Sequence, residues 1–252
     1  MRIDKYLSEK FGSRTKAAAA ISKGLVLVNG SVVDAAYNFK DGDLLEFIEP
    51  EENYVSAGGF KLGKALKDFN FSVKDKVFAD IGASTGGFTD CLLQNVARKV
   101  YCIDVGESQL DKNLLCDKVV VIDNYNARNL EKSLFSENLD GVVIDVSFIS
   151  LTYILKAVGE VLENGCHVLA LIKPQFECES RSVGKNGIVR DEKIHKRIIT
   201  KIYNFAKECG LSPQRLTNAP LDPNKNKEYI ILLEKGAKSS TDIENLLKSV
   251  KL

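Results

Sequence analysis

The chain has 252 residues, of which 44% are hydrophobic and 27% charged, and its formal net charge is +1. This length permits one large domain or a medium domain joined to a small one, and the composition supports a packed core. The small net charge excludes binding of nucleic acid through bulk charge, so any such surface has to come from local clusters of basic residues.

The sequence also argues against a membrane, secreted or metal-binding protein. It contains no apolar run long enough for a transmembrane helix, which needs about 18 residues or more. The residues Met1–Lys5 lack the apolar core of a signal peptide, so we expect a cytoplasmic protein without a membrane partner. None of the six cysteines forms a C-x-x-C pair and most lie in apolar runs, which predicts buried, reduced thiols without disulfides or a metal site.

The first fifty residues predict a small α+β module. Apolar residues from Ile3 to Ile21 recur with helical spacing, and Ser13 is a candidate N-cap for the second of two helices. Strand-like runs follow on either side of an Asn29-Gly30 turn, and another follows Asp41-Gly42-Asp43. We therefore expect two short helices followed by a small β unit.

Charge is unevenly distributed within this module. Residues 1–30 hold six basic and two acidic side chains, whereas residues 31–50 hold one basic and five acidic ones. A small module with one basic face is typical of proteins that contact a phosphate backbone.

The module resembles the S4 RNA-binding domain over about residues 1–48. The resemblance rests on the runs Arg2–Leu7, Ser13–Ala17, Ile21–Gly30 and Asp41–Asp43. A solvated helix face is the alternative interpretation of its basic residues. The resemblance implies that structured RNA is gripped by a set of polar and basic side chains, namely Arg2, Arg14, Lys16, Lys23 and Asn29.

The remainder of the chain predicts an α/β domain. Residues 49–56 are polar and contain Pro50, so we place the RNA-binding module at 1–50, a linker at 51–60 and the second domain at 61–252. Strand-like and amphipathic segments alternate there, which predicts a parallel sheet with helices on both faces. The strand-like runs lie at 77–81, 99–103, 119–122, 141–145, 166–172 and 229–233, and the amphipathic ones at 88–97, 107–115, 151–162 and 190–208.

The segment Asp80–Asp90 is the most informative part of the chain. It follows an apolar run and precedes a helical one, and Asp104 ends the next strand-like run. A strand, a glycine turn, a helix, a second strand and a carboxylate hold a ribose-bearing cofactor at the carboxyl end of a parallel sheet. The spacing Asp-x-Gly-x-x-x-Gly-Gly differs from the dinucleotide pattern and is the form found in S-adenosylmethionine (SAM) methyltransferases. A plain tight turn is the alternative.

Four further polar residues flank predicted strands, where such a sheet places its ligand. Asp145 and Lys173 follow the fourth and fifth strand-like runs. Glu228 precedes the last run, and Lys61 follows two glycines before a helix. Methyl transfer to a ribose hydroxyl needs a base and a fixed alignment of hydroxyl, methyl and sulfonium, which lysines oriented by carboxylates can supply. Taken singly, each residue has an ordinary alternative, such as a helix cap or a solvated side chain.

The chain as a whole resembles the TlyA family, which joins an S4 domain to an FtsJ-like methyltransferase and is often named hemolysin A. Over about residues 1–233 the match includes Gly58–Leu62, Asp80–Asp90, Asp104–Gly106, Asn126-x-Arg128, Asp145–Leu151, Lys173–Glu177 and Val183–Asp191. The resemblance implies a Rossmann-like fold, SAM as cofactor, and 2'-O-methylation of cytidine in ribosomal RNA, with ribosomal RNA or ribosomal subunits as partner. It also implies catalytic roles for Lys61, Asp145, Lys173 and Glu228.

The resemblance further implies cofactor contacts around the glycine turn and the next two strand ends. These are Asp80, Gly82, Ala83, Ser84, Gly86, Gly87, Phe88, Asp104, Val105, Asp123 and Asn124. Three positions depart from the family's usual pattern, because Ala57 replaces Arg, Asp123 replaces Glu, and Lys225 replaces the glycine of Gly-Asn-x-Glu. The first and third departures concern binding of the target nucleotide, and the second shortens the acidic side chain by one methylene.

Three other functions are compatible with parts of the sequence. They are a membrane-lytic protein, an RNA-binding assembly factor without methyl transfer, and a nucleotide-dependent oxidoreductase, which the glycine spacing disfavours. The histidines are weak catalytic candidates, because His167 lies in an apolar strand, which predicts a core position, and His195 lies on a basic helix. Residues 181–197 hold six basic and two acidic side chains, which predicts a second RNA contact or a solvated helix face. No feature indicates an oligomeric state.

Overall fold

The computed structural model describes residues 1–22, 24–47, 53–179, 183–184, 186–220 and 225–252. The chain forms two compact units, Met1–Asn53 and Tyr54–Leu252. The first unit spans the predicted module at residues 1–50, and the second contains the predicted domain at residues 61–252.

The described part of the first unit contains helices followed by a small antiparallel sheet, as the sequence predicted. Its elements are α1 (Ile3–Tyr6), α2 (Arg14–Ser22), β1 (Val26–Val28), β2 (Ser31–Val32) and β3 (Leu45–Phe47), and the strand order is β2-β1-β3. Ile3, Ile21 and Val26 are fully buried and belong to one core. The Ser13 hydroxyl accepts a hydrogen bond from the Lys16 amide at 3.2 Å, which confirms Ser13 as a cap of α2.

The second unit is an α/β domain built around a mixed sheet. Its described elements are α3 (Ala57–Phe69), β4 (Val77–Ile81), α4 (Gly87–Gln94), β5 (Lys99–Ile103), β6 (Val119–Ile122), β7 (Gly141–Ile144), α5 (Leu151–Val161), β8 (His167–Ile172), α6 (Pro174–Glu177), α7 (Glu192–Glu208), β9 (Leu211–Asn218), β10 (Tyr229–Lys235) and α8 (Ile243–Lys248). The strand order is β6-β5-β4-β7-β8-β10-β9, in which β10 runs antiparallel to both neighbours and the strands from β6 to β8 are parallel. This confirms the predicted α/β fold.

Helices cover both faces of this sheet. On one face, Leu62 of α3 and Phe88 of α4 belong to the same core as Phe78 of β4. On the other, Leu155 of α5 packs in a core with Ile81 of β4. Because successive strand residues point to opposite faces, β4 is buried along its whole length. Burial of each such side chain contributes roughly 1.5–3 kcal/mol, and it holds the carboxyl ends of the parallel strands at one edge.

Two segments of the second unit differ from the prediction. The strand β9 was not expected, because Pro213 and its polar neighbours interrupt a strand pattern, but proline is tolerated on the edge strand that β9 forms. The predicted helix at 107–115 is wrong. Its described residues form a short 3₁₀ turn at Lys112–Leu114, preceded by Ser108 with a φ of 53°, which a helix does not accommodate.

The beginning of the second unit also differs from the prediction. Residues 57–60, which the sequence placed in the linker 51–60, form the first turn of α3. Gly59 in this turn is required by packing, since a Cβ there would lie 2.2 Å from the Tyr54 ring. This close approach anchors the helix that carries Lys61.

Candidate active site

The glycine turn after β4 brings two strand ends into contact. Gly82, Ser84 and Gly86 have φ values of 82°, 47° and 93°. A Cβ at Gly82 would lie 2.7 Å from the carbonyl oxygen of Asp145, so glycine is needed for the ends of β4 and β7 to approach this closely. The predicted cofactor turn therefore lies beside the predicted catalytic residue Asp145.

Asp104 joins the same turn to the end of β5. Its Oδ2 accepts a hydrogen bond from the Ser84 amide and its Oδ1 accepts one from the Gly106 amide, both at 2.8 Å. Each carboxylate oxygen can accept a second hydrogen bond, so both can still receive a ligand hydroxyl. The predicted contact of Asp104 with a ribose is compatible with this geometry and stays a prediction.

A cleft of about 430 Å³ lies at the carboxyl ends of β4, β5 and β7. Its lining includes Gly82, Ser84, Asp104 and Val105 from the predicted cofactor set, and Asp145 from the predicted catalytic set. Small-molecule sites in proteins usually measure about 300–1,000 Å³. The cleft is therefore large enough for a cofactor.

The remaining residues that were predicted around the glycine turn form its backbone but do not line the cleft. They are Ala83, Gly86, Gly87 and Phe88, in the turn and at the start of α4. A Cβ at Gly87 would lie 2.2 Å from Ser56 Oγ, so this position also requires glycine. Direct contact of these four residues with a cofactor stays a prediction.

Asp123 and Asn124 hold the loop that follows β5. Asp123 Oδ2 accepts a hydrogen bond from the Ser108 amide at 2.9 Å, and the Asn124 amide donates to the Gly106 carbonyl at 3.1 Å. Neither is among the lining residues, whereas the next segment, 125–127, is. The family resemblance covers part of segment 125–127 but implied no role for it, so the position of this segment in the cleft lining was not predicted.

Asp80, in β4, is fully buried. The Thr89 hydroxyl donates to its Oδ2 at 2.7 Å, while its Oδ1 has no hydrogen-bond partner among the described residues. Burial raises the pKa of Asp80 from 3.8 to about 7, and repulsion by the Asp145 carboxylate adds to the shift. A buried polar atom without a partner calls for a functional explanation, such as a ligand.

The four predicted catalytic residues form two ion pairs. Lys61 Nζ donates to Glu228 Oε2 at 2.6 Å. Lys173 Nζ lies 2.5 Å from Asp145 Oδ1 and donates to Ser147 Oγ at 2.9 Å. Asp145 Oδ1 is therefore paired with the ammonium group of Lys173. The four side chains are 11–24% exposed, which shields the pairs from water without closing them off.

The fold explains why these pairs lie near each other. The antiparallel pairing of β8 with β10 sets Lys173 and Glu228 at adjacent strand ends. A Cβ at Gly58 would lie 3.7 Å from Asp145 Oδ2, and Gly58 is one turn before Lys61 in α3. The helix that carries Lys61 therefore packs against the strand end that carries Asp145.

The two histidines occupy structural positions. The ring of His195 is 1% exposed and lies between the Val189 carbonyl at 3.0 Å and the Tyr229 hydroxyl at 2.8 Å. His167 begins β8 and is half-buried rather than in the core as expected, because the first residue of the strand reaches solvent. Burial lowers the pKa of His167, which favours its neutral form.

Asp4 organises two of the predicted RNA-binding residues in the first unit. Its buried carboxylate accepts hydrogen bonds from Arg2 Nη2 at 2.9 Å and from Arg14 Nε at 3.1 Å. The hydrogen bond from Arg2 lowers the pKa of Asp4 to about 2, so the carboxylate is charged at neutral pH. Both arginine side chains are more than half exposed, with N–H groups available to a partner.

The remaining predicted RNA contacts differ in their surroundings. Lys16 is exposed. Asn29 Nδ2 donates to Asp43 Oδ1 and Asn29 Oδ1 accepts from the Leu44 amide, both at 2.9 Å, so this side chain is used within the unit. Lys23 lies outside the described residues. RNA contact by these three residues stays a prediction.

Within the described ranges, no group of three His, Cys, Asp or Glu side chains is arranged to hold a metal ion. No helix in that part of the chain is long and apolar enough to cross a membrane. All six cysteines lie in the described part of the chain and none forms a disulfide there; Cys91, Cys102 and Cys166 are buried.

Comparison with known proteins identifies the family. A model of FtsJ-like methyltransferases matches residues 54–235, and a model of the S4 domain matches residues 1–45. The chain belongs to the FtsJ-like methyltransferase family. Both resemblances that the sequence suggested, to the S4 domain and to the methyltransferases, are thereby confirmed.

Relatives match this FtsJ-like methyltransferase over most of its length. Hemolysin A of Brachyspira hyodysenteriae is 42% identical over 236 residues, covering 91% of this chain and 98% of the relative. The 16S/23S rRNA (cytidine-2'-O)-methyltransferase TlyA of Mycobacterium tuberculosis is 36% identical over 225 residues, covering 88% of this chain and 84% of the relative. A solved structure from Streptococcus thermophilus, which also carries a hemolysin name, is 39% identical and covers 98% of this chain and 94% of that one, with a TM-score of 0.74.

The cofactor of this FtsJ-like methyltransferase is SAM, as the sequence predicted. The cleft fits SAM in size and in the chemistry of its lining. Gly82 leaves room where a side chain would collide with the neighbouring strand end, and Asp104 presents carboxylate oxygens suited to ribose hydroxyls. Asp80 holds a buried oxygen without a hydrogen-bond partner among the described residues, and such an acceptor suits a nearby ligand that carries positive charge.

Proposed function

We propose that this protein methylates the ribose 2'-hydroxyl of a cytidine in ribosomal RNA. The observation that carries the proposal is the pair of half-buried ion pairs, Lys61–Glu228 and Lys173–Asp145, beside the cofactor cleft. Asp145 belongs both to an ion pair and to the lining of the cleft, so the methyl donor and the acceptor hydroxyl meet at this residue. The name of the M. tuberculosis relative states the same reaction on 16S and 23S rRNA, which supports this substrate.

The reaction is an in-line displacement at the methyl group that SAM supplies. SAM, held by Gly82 and Asp104, would supply a methyl group bonded to a positively charged sulfur; its transfer to the ribose 2'-oxygen would leave a neutral thioether and release the hydroxyl proton. Before it can accept this proton, Lys173 at the end of β8 has to release one of its ammonium protons to solvent, and Asp145 orients its Nζ. Lys61, held by Glu228, orients the ribose. A positioned base contributes about 10²–10⁴ in rate, and alignment contributes much of the remainder.

An exposed aromatic residue at the cleft supports a substrate that presents an unstacked base. Phe148 lines the cleft, is 90% exposed and contacts Phe176 with ring centroids 4.9 Å apart and ring planes tilted by 46°. Its φ of 62° is unfavourable for a bulky residue, and such strained positions cluster at functional sites. Aromatic side chains stack with the bases of single-stranded RNA, a contact worth roughly 1–3 kcal/mol per base.

We assign RNA binding to the first unit and methyl transfer to the second, with the domain limits 1–50 and 61–252. Arg2 and Arg14, held by a charged carboxylate and more than half exposed, offer N–H groups to RNA phosphates. Lys16 adds an exposed positive charge nearby in sequence. Because ribosomal RNA and ribosomal subunits are its substrates, the protein acts in the cytoplasm.

The test is transfer of labelled methyl groups from SAM to purified ribosomal subunits and to protein-free ribosomal RNA. We expect label in RNA from at least one of these substrates. An assembly factor without methyl transfer would bind subunits and leave them unlabelled. A membrane-lytic protein, the alternative that the hemolysin names raise, would release dye from liposomes, and we expect no release. Absence of label from every ribosomal substrate would contradict the proposal.

A further inference from the structure

Glu177 is a buried acid close to the active site that the proposed mechanism does not use. It ends α6, the single helical turn that begins directly after Lys173. The Glu177 side chain is 2% exposed. Its carboxylate accepts hydrogen bonds from the Ser150 hydroxyl at 2.7 Å, from the Leu151 amide at 2.5 Å and from Lys201 Nζ at 3.0 Å.

These contacts join two catalytic segments of the chain. Ser150 and Leu151 begin α5 and end the loop that starts at Asp145. Glu177 therefore links the segment that follows β8, which begins with Lys173, to the segment that follows β7, which begins with Asp145. The same two segments are joined at their other ends by the ion pair between Lys173 and Asp145. The two segments are thus joined by two cross-links, the catalytic ion pair and the Glu177 carboxylate.

Stabilisation of α5 alone does not explain a buried carboxylate here. Ser150 already acts as the N-cap of α5, because its hydroxyl accepts from the Thr152 amide at 3.4 Å. Removing a carboxylate from water costs several kcal/mol, which its partners only partly offset. The three donors lie at the start of α5 and on α7, whereas Glu177 lies on α6. Their convergence on Glu177 suits a residue that fixes the distance from α6 to those two helices.

The turn α6 also reaches the second ion pair. Gln175 Nε2 donates to Glu228 Oε1 at 3.0 Å, and the other oxygen of Glu228 holds Lys61. A displacement of α6 would therefore move Lys173 directly and Glu228 through Gln175. Misplacement of a reacting group by about 1 Å can lower a rate roughly 10²-fold.

We propose that Glu177 is a positioning residue for methyl transfer, which locks the Lys173 segment against the Asp145 segment. The inference rests on the proposed function, because it assigns Lys173 and Asp145 to the reaction. It predicts that loss of the Glu177 charge lowers the catalytic rate and leaves SAM binding unchanged, since Glu177 is not among the residues that line the cofactor cleft.

The test compares Glu177→Gln with Glu244→Gln in the full-length protein. The glutamine keeps the size of the side chain but replaces an acceptor oxygen with a donor group. Glu244 is a matched control, because the same substitution is made there in an exposed ion pair with Lys196. We expect kcat for methyl transfer to fall about 10- to 100-fold in Glu177→Gln with KM for SAM unchanged, and both constants to stay near wild type in Glu244→Gln. Ser150→Ala, which removes a single donor, should lower kcat less.

Hydrogen exchange provides a readout that does not depend on activity. In Glu177→Gln, amides in segments 145–151 and 173–178 should exchange faster than in the wild type, while those of β4 and β5 should not change. A wild-type kcat in Glu177→Gln would overturn the inference, as would unchanged exchange in both segments. If the wild-type protein transferred no methyl group to ribosomal RNA, the proposed function would fail, while hydrogen exchange would still show whether Glu177 holds the two segments together.

Discussion

The charged clusters of the two units are built in opposite ways. In the first unit, Asp4 is buried and holds two arginines whose side chains are 51% and 56% exposed. In the second unit, Lys61 and Lys173 each face a carboxylate, and the four side chains are 11–24% exposed. The first cluster leaves positive charge available to a partner, whereas the second pairs its charges internally and holds them in a fixed geometry.

This difference shows how binding and catalysis are divided between the units. Exposed charges act through Coulomb attraction, which salt screens over about 10 Å at 0.1 M ionic strength. The contribution of the first unit to RNA binding should therefore depend strongly on salt. Half-buried pairs act through position, so substitutions there should change turnover more than affinity.

The largest effect is expected for Lys173→Ala. Methyl transfer should fall about 10²–10⁴-fold, because the positioned base is lost, while SAM and RNA still bind. Lys173→Arg should not restore the rate, since a guanidinium does not give up its proton. Single-turnover transfer of labelled methyl at saturating SAM measures the effect. Near-normal turnover by Lys173→Ala would remove this residue from the mechanism.

A smaller effect, on binding rather than turnover, is expected for Asp104→Ala. Loss of hydrogen bonds to a charged group costs roughly 1.5–3 kcal/mol, which corresponds to about a 10- to 100-fold rise in the Kd for SAM. Asp123→Ala serves as a comparison, because Asp123 was predicted to contact the cofactor but is not among the cleft residues. Calorimetry measures both constants. An equal weakening in the two variants would show that Asp104 acts only through the loop.

In the first unit, Arg14→Ala should weaken RNA binding about three- to tenfold and reduce the dependence of log K on log salt by about 1. Methyl transfer at saturating RNA should be unchanged. Arg98→Ala is the matched control, because Arg98 is also 56% exposed but pairs with Glu137 in the second unit. Filter binding to ribosomal RNA over a salt series measures the slopes. Identical slopes for the two variants would contradict the assignment of RNA binding to the first unit.

The smallest effect concerns pH, where buried carboxylates of the two units should act in opposite directions. Asp4, whose pKa is lowered to about 2, stabilises the folded state above about pH 4 and loses this effect as pH falls towards 2. Asp80, whose pKa is raised to about 7, binds its proton more tightly in the folded state, so stability falls as pH rises from about 4 to 7. In Asp80→Asn, the melting temperature should therefore change less with pH over that range. If the melting temperature changed equally with pH in the wild type and in Asp80→Asn, the predicted effect of Asp80 on stability would be refuted.

Residues of the site could be predicted from the sequence where the pattern that marks them spans a short stretch of the chain. Gly82 and Asp104 were identified because a strand, a tight turn and a second strand end lie within about 25 residues, and their spacing carries the chemistry. The set of two lysines and two acids was also predicted, with Lys173 beside Asp145 at adjacent strand ends. Whether Glu228 contacts a lysine or the substrate hydroxyl was left open, because Lys61 and Glu228 are 167 residues apart and meet only through the pairing of β8 with β10 and the packing of α3.

The missed features share a physical cause. Glu177 and Gln175 act through hydrogen bonds to residues that are distant in sequence, which spacing does not reveal. The strand β9 was missed because tertiary pairing overrides the weak strand preference around Pro213. The cofactor contact implied for Asp123 by the family resemblance stays a prediction, and its carboxylate accepts a hydrogen bond from the Ser108 amide.

The most direct test of the whole account is the position of the methyl group on ribosomal RNA. RNA from cells with and without this protein, and RNA labelled by the purified protein, is hydrolysed with alkali and mapped. We predict an additional alkali-resistant linkage at a cytidine, because a methylated 2'-oxygen cannot attack the adjacent phosphate, and we predict its loss in Lys173→Ala. Label on a base, or an alkali-labile linkage at the labelled nucleotide, would contradict 2'-O-methylation and the roles proposed for the two ion pairs.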